Sequence, residues 1–301
     1  MIAGYFRNTI LTFARRLGDR GNRATHLIFS IGSRQQKSTN VGEKSDSEGT
    51  SYVRAVEGFL SSPSRLNRFR NNFEYRQILE HVSYRQGVDY LDQIARLDPV
   101  LLSRMNEFIQ NDCFGKPAKY SYAGGLLMSP TTVRYVAVAA HLRSIFGDSV
   151  IKTVAEIGVG YGGQCSVLSE VFLLTGYAMF DLDPVLILTS KYLKAVNPRA
   201  SEIAVMSRLD NLKVPEGGWD LAISNYAFSE LPKSLQLEYL EKVLSKSKRG
   251  YMIMNSGRSD FTGRSPGKMT LAELQENLPS SRVLEEVPQT GTDNYVLIWS
   301  V

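Results

Sequence analysis

The run Glu156-Ile157-Gly158-Val159-Gly160-Tyr161-Gly162-Gly163 constrains this chain more than any other feature. It follows an apolar segment, Val150–Ile157, that reads as a buried strand, and it opens a helical segment, Gly163–Leu174. Glycines let a backbone turn sharply and approach a ligand where a Cβ would collide. The helix start behind them offers unpaired N–H groups. A strand, a glycine turn and a helix in that order are what a nucleotide-cradling loop needs.

The segments after the loop keep the same alternation. Strands are expected at Tyr177–Phe180, Glu202–Met206, Asp220–Ser224 and Gly250–Met254, with helices at Val185–Ala195, Leu235–Leu244 and Leu271–Asn277. Before the loop, Pro130 opens a helix that runs to Phe146 and stops at Gly147. Val283–Val287 and Tyr295–Ser300 follow each other across a turn-rich connection, so they form a hairpin and one of them runs antiparallel. The expectation is an α/β domain over residues 117–301: a seven-stranded, mostly parallel, Rossmann-like sheet with an antiparallel C-terminal strand.

Gly158, Gly160 and Gly163 fit a dinucleotide fingerprint, which alone is weak. Glu156, at the strand end, suits a cationic ligand better than a pyrophosphate, because like charges repel. Asp181 ends the next strand, where a carboxylate accepts hydrogen bonds from ribose hydroxyls. A nucleoside that carries an ammonium and a sulfonium, S-adenosylmethionine, meets both conditions. The terminal hairpin is also typical of methyltransferase sheets and unusual in nicotinamide-binding domains.

GYGGQC at Gly160–Cys165, DL at Asp181–Leu182 leading to KYL at Lys191–Leu193, SNYAFSEL at Ser224–Leu231 and KSKRGY at Lys246–Tyr251 resemble the sugar O-methyltransferase family of bacterial class I methyltransferases. SPTTVRY at Ser129–Tyr135 and TGTDNYVLIW at Thr290–Trp299 are similar as well. The resemblance covers residues 117–301. It implies a class I methyltransferase fold, S-adenosylmethionine as donor and a sugar hydroxyl as acceptor. Carried over, Gly158, Gly160, Tyr161, Gly162, Gly163, Asp181 and Leu182 become cofactor contacts, with Glu156 and Asn225 beside them. The Ser224–Leu231 block becomes the active-site wall. Val159 stands where a glycine is expected, and Asp183-Pro184 where Pro-Glu is expected.

Ligands of doubly wound sheets sit beyond the C-terminal strand ends. The loop after the fourth strand therefore supplies Glu230 as a candidate general base and Tyr226 for acceptor positioning. Glu230 reads equally as a first-turn charge favoured by the helix dipole. Ser229, Asn255, Arg258, Tyr122 and Arg134 are candidate substrate contacts. His141, in the middle of a helix, reads as a packing residue. No compact His/Asp/Glu cluster is visible, so no metal is expected. A nicotinamide-dependent oxidoreductase acting on a sugar nucleotide and a non-catalytic binding protein of the same fold are the alternatives.

The other 116 residues carry less information. Residues 1–41 hold seven Lys/Arg against one acid, a net of +6, so the rest of a chain that totals +5 is close to neutral. That distribution argues against nucleic acid as a partner. Residues 1–32 form a basic N-terminal segment. Within it, Ile2, Phe6, Ile10, Phe13 and Leu17 lie at helical spacing and read as an amphipathic helix. Such a helix suits weak association with an anionic membrane surface, an Arg-rich transit segment, or simple packing on the protein. Residues 33–51 are polar and read as a flexible linker. Residues 52–116 read as a small helical region, with Phe69, Phe73, Ile78 and Leu79 marking one helix and Asp98-Pro99 a break between two others; it suits a lid or a surface for homo-oligomer formation, with His81 a surface or packing residue. No secretory signal or membrane span is visible, and Cys113 and Cys165 lie in no ligand spacing, so a cytoplasmic protein, peripheral to the inner membrane surface at most, is expected.

Overall fold

The computed structural model describes residues 50–147, 150–258 and 267–301. The basic amphipathic segment and residues 33–49 of the expected linker lie outside them. Residues 50 and 51, also assigned to the linker, instead begin helix α1, Thr50–Leu60.

α2 is Phe73–Ile78, capped by the Asn72 side chain, which accepts from the Tyr75 N–H at 3.1 Å. α3 is Tyr84–Leu97, opened by a Ser83–Gln86 capping box. Asp98 ends α3 and caps the short helix Pro99–Ser103 through the Leu101 N–H at 2.8 Å, which is the break expected at Asp98-Pro99. The expected stripe Phe69, Phe73, Ile78, Leu79 is not one helix face. Phe69 belongs to a separate turn, and Asn72 (ψ 138°) breaks the register between them. Phe73 is therefore 77% exposed, while Phe69 and Tyr75 are fully buried.

α4, Pro130–Phe146, is buried on nearly every side and ends at Gly147 (φ +76°) as expected. The strands are β1 Thr153–Ile157, β2 Gly176–Phe180, β3 Ala204–Met206, β4 Leu221–Asn225, β5 Arg249–Met254, β6 Arg282–Glu285 and β7 Tyr295–Ser300. They form one sheet in the order β3-β2-β1-β4-β5-β7-β6. Neighbours from β3 to β5 pair parallel, and β7 pairs antiparallel with both β5 and β6. This is the Rossmann-like sheet with an antiparallel C-terminal strand. Several boundaries differ from expectation by one to a few residues, and three of them have a local cause. Residues 202 and 203 belong to the helix Pro198–Ile203 rather than β3. β1 starts at Thr153, where the Asp220 carboxylate takes the Lys152 and Thr153 N–H groups. α5, Gly163–Val171, stops short because Phe172 turns extended. Further helices of the frame are α6 Asp183–Val196, α7 Lys233–Lys242 and α8 Leu271–Asn277.

Strand alternation sorts the sheet into two faces. Val154, Tyr177, Met179, Leu221, Ile223 and Ile253 face a core that also takes in Val56, Phe59, Phe69 and Tyr75 of the helical region. Ala155, Ile157, Ala178, Phe180, Ala222 and Met252 face the other core. The helical region is fastened by Arg70, whose guanidinium is wholly buried. It pairs with Glu80 at 2.5 Å and Asp112 at 3.0 Å, donates to Asn111 O at 2.7 Å and Ser129 Oγ at 3.0 Å, and lies over the Tyr161 ring. Each of its three nitrogens has a partner, as burial of a charge requires.

Candidate active site

A cavity of about 560 Å³ opens at the C-terminal ends of β1, β2 and β4. Its floor is the glycine turn. Gly158 has φ +77°, and a Cβ there would fall 2.0 Å from the Ala227 Cβ. Gly160 has φ +56° and donates its N–H to Asp181 Oδ2 at 2.9 Å, while the Leu182 N–H donates to Asp181 Oδ1 at 2.8 Å. The two bonds aim the carboxylate along the cavity wall. Desolvation pushes the Asp181 pKa up to about 6, against the pull of those two N–H groups. Ile157, Phe180 and Leu182 line the same end, with Leu231, Leu235 and Tyr239 facing them.

The loop after β4 supplies the next wall. Asn225 lines the cavity, donates Nδ2 to Gln164 Oε1 at 3.3 Å, and leaves its Oδ1 without a donor. A buried acceptor with no partner is costly unless a ligand supplies one. Tyr226 has φ +70°, unusual for a bulky side chain and a cost of about 1–3 kcal/mol. It is held there by its N–H to Ile253 O at 2.8 Å and by its hydroxyl, which donates to Glu286. Glu230 and Asn255 line the cavity side by side, with Asn255 Nδ2 3.3 Å from Glu230 Oε1.

The remaining wall comes from outside the sheet: Tyr52, Leu79, His81 and Gln86 of the helical region, Arg134 of α4, and Thr290 and Asn294 of the β6–β7 loop. The helical region is thus a roof over the cavity. His81 Nδ1 lies 2.9 Å from Ile78 O; a carbonyl only accepts, so the ring proton sits on Nδ1 and Nε2 is left as an acceptor. Desolvation and the Arg134 charge push the His81 pKa down to about 4, so the ring is neutral. Its place on the wall of the cavity differs from the surface or packing role expected. Glu286, which no motif singled out, binds Tyr226, Thr290 and Asn294 together.

The cavity therefore gathers Gly158, Gly160, Asp181, Leu182, Asn225, Tyr226, Glu230, Asn255 and Arg134 among the residues expected from the sequence. Others lie elsewhere. Glu156 faces away from the cavity because it shares strand parity with Val154. Its carboxyl takes the Tyr177 hydroxyl at 2.6 Å, and burial raises its pKa to about 8, so it carries little charge at neutral pH. Tyr161 points under the roof into a cluster with Phe69, Tyr135 and Tyr192. Gly162 and Gly163 make room for neighbouring side chains: a Cβ would meet Thr189 in one case and Tyr135 in the other. Tyr122 stacks on Tyr84 and abuts Gly87. Ser229 sits behind the wall, its one hydroxyl proton within reach of two acceptors, Tyr226 O at 2.6 Å and Asn255 Oδ1 at 2.7 Å. Arg258 pairs with Glu285 at 2.5 Å. His141 packs in its helix against the Tyr251 hydroxyl at 3.0 Å.

Among the described residues no group of three or more His, Cys, Asp or Glu could hold a metal ion, and no helix is long and apolar enough to cross a membrane. Both cysteines are free.

No protein-family model and no curated protein sequence matches the chain significantly. Solved structures similar to it include the methyltransferase domain of bacterial CtHen1-CN (TM-score 0.43, 16% identity, covering 56% of this chain and 97% of that one). The mitomycin 7-O-methyltransferase MmcR is similar at TM-score 0.42 and 16% identity, covering 84% and 76%. Magnesium protoporphyrin IX methyltransferase from Synechocystis PCC 6803, solved with bound SAH, is similar at TM-score 0.42 and 13% identity, covering 56% and 82%. At these identities the likenesses say nothing of acceptor.

Proposed function

We propose that the cavity binds S-adenosylmethionine and that the chain is an O-methyltransferase acting on a sugar hydroxyl. The observation that carries this reading is the pairing of two groups across the glycine turn. On one side stands the Asp181 carboxylate, held by two backbone N–H groups. On the other is the Asn225 Oδ1 that lacks a donor. A carboxylate suits the two hydroxyls of a ribose, and an orphan acceptor suits an ammonium. Gly158 and Gly160 keep the floor between them free of side chains. The charge complement expected of Glu156 falls to Asn225 in this arrangement.

The bound sulfonium supplies an activated methyl group and leaves as a neutral thioether. The protein's task is to place the acceptor oxygen in line with that methyl, about 3 Å away, and positioning of this kind supplies much of a rate enhancement. Glu230, on the cavity wall beside Asn255, takes the hydroxyl proton as the new bond forms. Tyr226, fixed at both ends, sets the angle of approach. The roof residues Tyr52 and Leu79 exclude water from above. Gln86, Asn255, Thr290 and Asn294 offer the donors and acceptors that a polyhydroxylated ring uses. The sugar assignment draws on the resemblance of the blocks at Ser129–Tyr135, Ser224–Leu231 and Thr290–Trp299.

Calorimetry with S-adenosylhomocysteine and with NAD tests the cofactor, and labelled methyl transfer into a panel of sugar acceptors, read by mass, tests the reaction. Saturable binding of the first ligand without the second is expected. Binding of NAD alone, or of neither, overturns the reading.

A further inference from the structure

Among the described residues two arginines are buried, and they differ in one respect. Arg70 has Glu80 and Asp112. Arg134, 5% exposed, has no carboxylate of the described residues within ion-pairing distance. Its guanidinium lies over the rings of Tyr135 at 5.4 Å and Tyr226 at 5.9 Å, and it forms part of the cavity wall. The carboxylate that shares its surroundings, Glu286, is already saturated by donors: the Tyr226 hydroxyl, the Thr290 N–H and hydroxyl, and Asn294 Nδ2. Tyr90, Tyr135 and Tyr226 also face it, and His81, whose pKa its charge helps to lower to about 4, is neutral. Ring faces offset part of the cost of burying a cation, but they do not replace a counter-charge. A guanidinium at a cavity wall presents a planar fork of donors matched to a carboxylate or a phosphate.

Arg134 also lies at a particular end of the cavity. It shares a small adjoining pocket with Tyr251 and Ile253 of β5, Val296 of β7 and Glu286 beyond β6. Asp181 follows β2, on the far side of β1 and β4 in the sheet order. With strands about 4.8 Å apart, the two ends are separated by more than the width of a ribose. We infer that Arg134 is the receptor for an anionic group of the acceptor, so that the sugar methylated here carries a carboxylate or a phosphate. This inference rests on the methyl-transfer reading. The amino-acid carboxylate of the donor is a second source of the same chemistry, and the experiment separates the two.

The full chain, as wild type, Arg134→Met and Arg134→Lys, is titrated by calorimetry at constant ionic strength. The probes are S-adenosylhomocysteine, 5′-methylthioadenosine (the same nucleoside without the amino-acid end) and inorganic phosphate added to protein saturated with S-adenosylhomocysteine. The expected result has three parts. S-adenosylhomocysteine binds wild type and Arg134→Met alike. Phosphate binds the loaded wild type and loses about tenfold or more in Arg134→Met. Arg134→Lys recovers part of that loss, and thermal melts show that the variants fold. The inference is overturned if Arg134→Met weakens S-adenosylhomocysteine about tenfold while leaving methylthioadenosine unchanged, which assigns the guanidinium to the donor. It is equally overturned if loaded wild type takes no phosphate, or if Arg134→Met takes it as well as wild type does. If wild type binds no S-adenosylhomocysteine, the methyl-transfer reading itself fails, and phosphate titrated into unloaded protein still shows whether Arg134 holds an anion.

Discussion

Glu156→Gln separates a structural carboxyl from a ligand-binding one. Glu156 is sealed beneath the glycine turn, accepts a single hydroxyl from Tyr177, and has its pKa raised by burial from 4.5 to about 8. A carboxyl whose folded pKa is raised contributes its full stability below its unfolded value and loses it as pH rises through the folded value. The window here runs from 4.5 to about 8. At about 1.36 kcal/mol per pH unit, the loss across the window is about 5 kcal/mol, with about 3 kcal/mol of it gone by pH 7. Glutamine keeps the shape and an oxygen that accepts from Tyr177, and it has no proton to lose. Thermal denaturation at pH 5, 7 and 8.5 should therefore find the two proteins nearly equal at the lowest pH. The variant should lead by roughly 10 °C at the highest, taking about 2 °C per kcal/mol for a chain of this size. Asp181, raised to about 6, titrates in both proteins; its charge is the smallest of the causes acting on Glu156, so most of its contribution cancels in the difference. S-adenosylhomocysteine affinity should not change, because the carboxyl does not reach the cavity. Parallel pH profiles, or a variant that is less stable at pH 8.5, would refute the account of Glu156 as a buried neutral acid.

Four further outcomes are expected. Asp181→Ala should cost about 10- to 100-fold in S-adenosylhomocysteine affinity, as loss of a hydrogen-bonded charged group does. In the wild type the same binding should strengthen as pH rises through about 6, where Asp181 ionises; a flat titration across that range would count against its role. Gly158→Ala, with φ +77° and a Cβ 2.0 Å from Ala227, should lower stability by about 1–3 kcal/mol in denaturant melts and abolish cofactor binding. Glu230→Gln should reduce methyl transfer by about 10²- to 10⁴-fold with S-adenosylhomocysteine affinity intact; a loss of affinity with turnover preserved would move the base elsewhere.

The parts of the fold that local rules govern were legible in the residues. Ser129-Pro130 and Gly147 bound α4, and Asp98-Pro99 divides two helices, because caps and proline act on their immediate neighbours. The glycine turn and Asp181 were legible for the same reason, since both sit at strand ends that the apolar pattern defines. What stayed hidden depends on contacts distant in sequence. The direction of Glu156 is set by strand parity, which a one-residue difference in the strand end reverses, so its place beside the loop does not reveal which face it takes. Tyr161, Gly162 and Gly163 read as ligand contacts from their place in the loop, yet their neighbours Phe69, Tyr135 and Thr189 come from three other elements. His81 and Glu286 carry no local signature at all. They enter the site only because the roof and the β6–β7 loop fold back onto the sheet.

The Arg70 cluster has a practical consequence. Asp112 takes the Ser129 N–H and hydroxyl at the start of α4, Asn111 Nδ2 donates to Gly163 O, and the Tyr192 hydroxyl donates to Asn111 O. Truncation at residue 117 would strip an anchor from each of α4, α5 and α6 and leave Tyr161 and Tyr192 facing water. Anyone seeking a minimal soluble fragment should therefore keep the chain from residue 50 onward, and a chimera that exchanges the roof must bring a matching guanidinium and carboxylate with it.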